Sequence, residues 1–127
     1  MPTTTVQPEG TAGTPVKVDP KVVIYFDANG NLAVDAYENN GEKRADRVAY
    51  VWRGAKEKLL FRNDTNRRIC IAFDKTPFED AGWGPINPNA TQNVGAARDD
   101  APVEVPLKYT VFAPGKDKLD PNVIVMN

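Results

Sequence analysis

Short runs of alternating apolar residues, each cut off by turn formers, leave this chain few folds to choose from. Val22-Val23-Ile24-Tyr25-Phe26 is a compact run of β-favouring side chains, and Asp27-Ala28-Asn29-Gly30-Asn31 follows it with the Asn-Gly pair of a tight hairpin. Leu32, Val34 and Ala36 then share one face of a second strand, and Val48, Tyr50 and Trp52 alternate along a third. Residues 58–62 supply the next strand, and Ile69, Ile71 and Phe73 form the inward face of another. Residues 75–102 read as one long connection. Beyond it Val103, Val105, Leu107, Tyr109 and Val111 alternate again, with Pro106 marking an edge or a bulged start, and 121–126 close the chain. Eleven prolines and nine glycines in 127 residues fit many turns and no long helix. About seven strands of this kind predict an all-β sandwich with a single core over residues 21–127.

The remaining segment, 1–20, is rich in Thr, Pro and Gly and has no large aromatic or Leu/Ile side chain, so it reads as a flexible N-terminal arm that buries too little to offset its ordering entropy. Sixteen basic residues against seventeen acidic ones leave a net charge of −1, which gives no electrostatic reason to bind nucleic acid. No run in the sequence has the length and apolar character of a membrane span, and no signal peptide is read at the N-terminus; a mature exported protein and an internal one both fit, so the compartment stays open. Cys70 cannot pair within the chain, and its place in Ile69-Cys70-Ile71-Ala72-Phe73 predicts a buried or half-buried structural thiol.

Two stretches resemble cupredoxins, the Greek-key sandwiches of the plastocyanin and azurin type. One is Glu57-Lys58-Leu59-Leu60-Phe61-Arg62-Asn63-Asp64 followed by Ile69-Cys70-Ile71-Ala72-Phe73-Asp74; the other is Leu107-Lys108-Tyr109-Thr110-Val111 followed by Leu119-Asp120-Pro121-Asn122-Val123-Ile124-Val125. The resemblance implies a cupredoxin-like Greek-key fold over about residues 21–127. It does not bring the family's copper. A blue-copper site needs two imidazoles and a thiolate, and this chain has no histidine. On the matching positions the first ligand His falls on Ile69, the ligand Cys near Val111, and the second His in the loop that holds Pro114 and Gly115. Aliphatic groups there fill space where an ion would sit, so no metal and no cofactor are expected.

Other constellations carry less. The Asp27–Asn31 cluster lacks the glycine position and the closing Glu of a calcium loop, and a hairpin turn explains it. Glu79-Asp80 and Asp99-Asp100 are adjacent acids whose carboxylates point apart, better suited to solvent than to acid/base catalysis. Asn63-Asp64-Thr65 and Asn89-Ala90-Thr91 match the glycosylation sequon. Cys70 has no His to activate it, and no Ser/His or phosphate-cradling pattern occurs, so no catalytic residue is assigned and the chain is not expected to be an enzyme.

The long connection is the expected site of function, because loops of that length are commonly binding loops. Phe78 and Trp83 are its apolar anchors in this reading, and Arg98 with the nearby acids its polar rim; the competing reading folds both aromatics back over the end of the sandwich. The sequence therefore predicts a non-catalytic recognition or assembly module, contacting a protein partner or a second copy of itself through this loop and the arm. Two alternatives are a structural subunit of a homo-oligomer and a carbohydrate-binding module that stacks sugar on Trp83, Trp52 or Tyr37.

Overall fold

A computed structural model describes residues 17–80 and 84–127. The described residues form eight strands: β1 (Lys21–Phe26), β2 (Leu32–Tyr37), β3 (Ala49–Trp52), β4 (Lys58–Asn63), β5 (Cys70–Phe73), β6 (Thr91–Ala96), β7 (Pro106–Phe112) and β8 (Asn122–Met126). They lie in two four-stranded sheets, ordered β2-β1-β4-β6 and β3-β8-β7-β5. Both sheets are mixed: β1 runs parallel to β4 and β3 parallel to β8, while the other pairings are antiparallel. The all-β sandwich expected from the alternating runs is what forms.

The core is made by every second residue of both sheets. Val22, Ile24, Val34, Ala36, Leu59 and Phe61 come from one, Val51, Ile71, Tyr109, Val111, Val123 and Val125 from the other. Burying each such aliphatic or aromatic side chain stabilises the fold by about 1.5–3 kcal/mol before ordering entropy is counted. The hairpin reading of Asp27–Asn31 also fits: Asp27 Oδ1 accepts the amides of Asn29 and Asn31, both at 2.9 Å, and Gly30 takes a φ of 78°.

Three local expectations change. On β3 the inward residues are Ala49 and Val51, while Trp52 is 41 % exposed. The parallel register with β8, Val51 opposite Val125, fixes that parity, and Tyr50 lies outside beneath the Arg44 guanidinium at 4.0 Å. Residues 75–102 are not one structureless connection, because Thr-Gln-Asn-Val-Gly-Ala forms β6 against β4. Only Val94 of that strand is fully buried, so pairing with a central strand overrides weak intrinsic preference. A bulge interrupts the pairing, and Gly95 sits in it at φ 83° with a missing Cβ that would meet Asp80 N at 3.4 Å. Asp80 N and Glu79 N donate to Val94 O and Ala96 O, which covers the outer edge of β6. Cys70, lastly, is exposed, because Ile71 takes the inward position beside it. Pro106 does stand at the first residue of its strand, where its missing N–H is tolerated.

Of the segment expected as an arm, residues 1–16 lie outside the described residues. Residues 17–20 are fastened to the sandwich: Val18 N donates to Asn39 O, Pro20 O accepts Leu60 N, and Asp19 Oδ1 accepts Lys58 N.

One buried amide holds the junction between the sheets. Asn63, wholly buried at the end of β4, donates from Nδ2 to Arg67 O at 2.7 Å and Ile86 O at 2.9 Å. Its Oδ1 accepts Thr65 N and Thr65 Oγ1, and its own backbone bonds Ala90 and Asn89. With its Nδ2 used twice inside the core, Asn63 is no glycosylation acceptor in the folded chain, whereas Asn89 of the second sequon is exposed.

Asn63→Ala removes four side-chain hydrogen bonds, leaves the buried Thr65 amide without its acceptor, and should lower unfolding free energy by about 3 kcal/mol, read as a fall in urea midpoint at unchanged slope. Tyr109 is 1 % exposed and its hydroxyl has no hydrogen-bond partner among the described residues. Tyr109→Phe should therefore stabilise by about 1 kcal/mol. Burial also raises the Tyr109 phenol above its ordinary value of 10.0. Above that pH the unfolded chain releases the proton and the folded chain keeps it, so stability should fall with pH by up to about 1.4 kcal/mol per unit, a component absent from Tyr109→Phe.

Candidate functional site

The pairing of β5 with β7 sets Cys70 opposite Phe112 and Ile71 opposite Val111. Side chains alternate along a strand, so with Ile71 and Val111 inward, Cys70 and Phe112 stand side by side on the outside. Phe112 is 44 % exposed there. Ile69, just before β5, exchanges both backbone hydrogen bonds with Ile86, at 3.0 and 2.8 Å, and this carries Pro85 to the same surface. With Ala113 and Pro114 after β7 and Arg68 at its margin, the surface is a shallow, mainly apolar depression of about 590 Å³. Such a contiguous apolar patch differs from a single exposed side chain, which needs no explanation.

Cations border it. Arg67 donates from Nη1 to Pro114 O at 2.6 Å and sets its guanidinium carbon 5.6 Å from the Phe26 ring, which Lys116 Nζ also approaches at 5.3 Å. Arg67, Arg68 and Lys116 form no ion pair among the described residues.

The residues expected to bind lie elsewhere. Phe78 is wholly buried, and its ring meets Phe73 edge-on at 5.7 Å within a cluster that includes Phe61 and Tyr109. It is a core residue and no partner reaches it, which corrects its reading as an anchor and fits the competing reading. Trp83 lies outside the described residues. Arg98 is half-buried and grips Asp100 with a two-point fork at 2.9 and 2.7 Å. That hydrogen-bonded pairing holds the Asp100 carboxyl below the usual carboxylate range and raises the guanidinium. The pair borders a second, narrower cleft of about 220 Å³ floored by Pro77, Ala101, Pro102 and Leu107. Arg98 and Phe78 therefore do not converge on one site.

At the positions matching copper ligands, Ile69 and Val111 are wholly buried in the core. Among the described residues no three His, Cys, Asp or Glu side chains come together as a metal site. Glu79, Asp80, Asp99 and Asp100 are all exposed.

The outer face of β5 and β7 was available from parity alone: once Ile69, Ile71 and Tyr109, Val111 point inward, Cys70 and Phe112 must point out. Pro85 had no such signal, because only the Ile69–Ile86 pairing places it. No protein-family model and no curated protein matches the chain.

Two truncations separate core from surface. Phe78→Ala should cost about 3–5 kcal/mol, whereas Phe112→Ala should change stability by less than about 1 kcal/mol, as read from denaturant melts of both variants.

Proposed function

We propose that this chain is a non-catalytic recognition or assembly module, built on a copper-free Greek-key sandwich of the cupredoxin type, that contacts a protein partner through the outer face of β5 and β7. The observation that carries this reading is the exposed Phe112 beside Cys70, Pro85 and Pro114 on an apolar surface held by rigid strands. An aromatic fixed by a strand presents a large contact area while losing little side-chain freedom on binding. The repeated crossing of the chain between sheets, with β1 parallel to β4, supports the Greek-key reading. Aliphatic side chains at the ligand positions support the copper-free one. The absence of histidine leaves Cys70 without an imidazole base, which argues against nucleophilic catalysis.

A carbohydrate-binding reading rests on one observation, the 41 % exposed indole of Trp52 on the edge strand β3. It calls for saccharide-dependent quenching of tryptophan emission, lost in Trp52→Ala.

The proposal is tested by placing a photo-crosslinking phenylalanine at position 112, and at exposed Glu42 as a control, in the cells that make the protein. A discrete protein adduct from position 112 and none from 42 is the expected result. Adducts absent from 112, or equal from both positions, would show that the face is not a contact surface.

A further inference from the structure

We infer that the partner for this face is a second copy of the same chain, joined in a two-fold dimer through an acidic groove beside it. The inference rests on the reading of the β5–β7 outer face as a contact surface. It adds what covers that face.

A groove of about 250 Å³ runs alongside, with Val48, Leu119 and Pro121 among its apolar walls and Asp27, Asp46, Asp120 and Arg47 as its charged groups. Two of the four are already engaged. Asp46 is held by the Arg44 fork at 3.0 and 2.8 Å, and Arg47 turns toward Asp35 at 4.0 Å. Asp27 and Asp120 form no ion pair among the described residues; Asp120 accepts only the Thr110 hydroxyl, at 2.8 Å, and Asp27 accepts backbone amides. The groove thus offers two uncompensated carboxylates around apolar walls. The face offers two cations with no ion pair among the described residues, Arg68 in its lining and Arg67 bound to Pro114 O, while Lys116 lies with Arg67 over Phe26.

The two surfaces belong to one end of the molecule. The connection from β7 to β8 starts at Ala113 and Pro114 on the face and ends at Leu119, Asp120 and Pro121 in the groove. Val111 and Leu119 exchange both backbone hydrogen bonds, at 2.8 and 3.1 Å, and hold its two halves together. Phe26, ringed by Arg67 and Lys116, directly precedes Asp27. A two-fold interface must be complementary to itself. Neighbouring patches of opposite charge satisfy that condition: the cationic face of each copy meets the acidic groove of the other. Between them Lys116-Asp117-Lys118 alternates in sign and can pair with its own copy across the axis.

The test is solution mass by light scattering on the full chain at submillimolar concentration. The ionic strengths are about 10 mM, where screening acts over about 30 Å, and about 1 M, where it acts over about 3 Å. The expected result is twice the chain mass at low salt, with dissociation at least about tenfold easier at high salt. Arg68→Glu and Asp120→Lys should each weaken the dimer about tenfold or more, and the double variant should regain most of the loss, since it restores opposite charges across both symmetry-related contacts. Circular dichroism melts verify that these exposed substitutions leave the fold intact. A parent chain that stays monomeric at both salts, or a dimer indifferent to both substitutions, overturns the inference. So does a double variant no better than either single one. A foreign adduct from position 112 on a monomeric chain would overturn the second copy as partner and leave the contact face standing; no adduct and no dimer would remove both.

Discussion

The buried side chain of Asn63 ties together three pieces of backbone: the end of β4, the turn through Arg67, and the segment that carries Ile86. Its oxygen is satisfied by Thr65 and its nitrogen by two carbonyls, so it is a polar group in the core with its bonding capacity used. Much else depends on it. The turn it closes delivers Ile69 into the core between the sheets, and the carbonyl it holds belongs to Ile86, which pairs with Ile69. Pro85, one residue earlier, is placed by the same pairing at the margin of the outer face. A Leu or Ala at position 63 would remove one of the two donors to each of the Arg67 and Ile86 carbonyls and leave the buried Thr65 amide without its acceptor.

On that frame, function is a matter of parity. The same alternation that sends Ile71, Tyr109 and Val111 into the core sends Cys70 and Phe112 out, and the strands grant those side chains little freedom. The aromatic cluster of Phe61, Phe73, Phe78 and Tyr109 lies beneath, with edge-on contacts from 5.3 to 6.5 Å among its rings. It tolerates one hydroxyl, that of Tyr109, without a partner among the described residues, at some expense in stability. Phe112 is no part of that ring cluster among the described residues.

Strand positions were legible in the sequence wherever apolar residues alternated strongly, as in β1, β2, β5 and β7. Legibility failed where tertiary pairing outweighed local pattern. β6 carries Gln, Asn and Gly, and is a strand only because β4 is beside it. β3 alternates well on either parity, and the large side chains Tyr50 and Trp52 suggested the wrong one; small Ala49 and Val51 fit the core opposite Val123 and Val125. Phe78 read as a loop aromatic because nothing local announces its single bridge to Ala97. Cys70 read as buried from its apolar neighbours, although the spacing of those neighbours already assigned it outward.

Cys70 also provides the most direct check, because it is the sole thiol and sits on the face itself. The measurement is the rate of its reaction with a disulfide reagent such as dithionitrobenzoate, on the dilute folded chain at high salt. Rapid stoichiometric reaction, with a rate close to that of the unfolded chain, is what an outward Cys70 beside Phe112 predicts. A thiol that reacts only as the protein unfolds would put Cys70 inside and Ile71 outside, invert β5, and remove the face on which the proposed function stands.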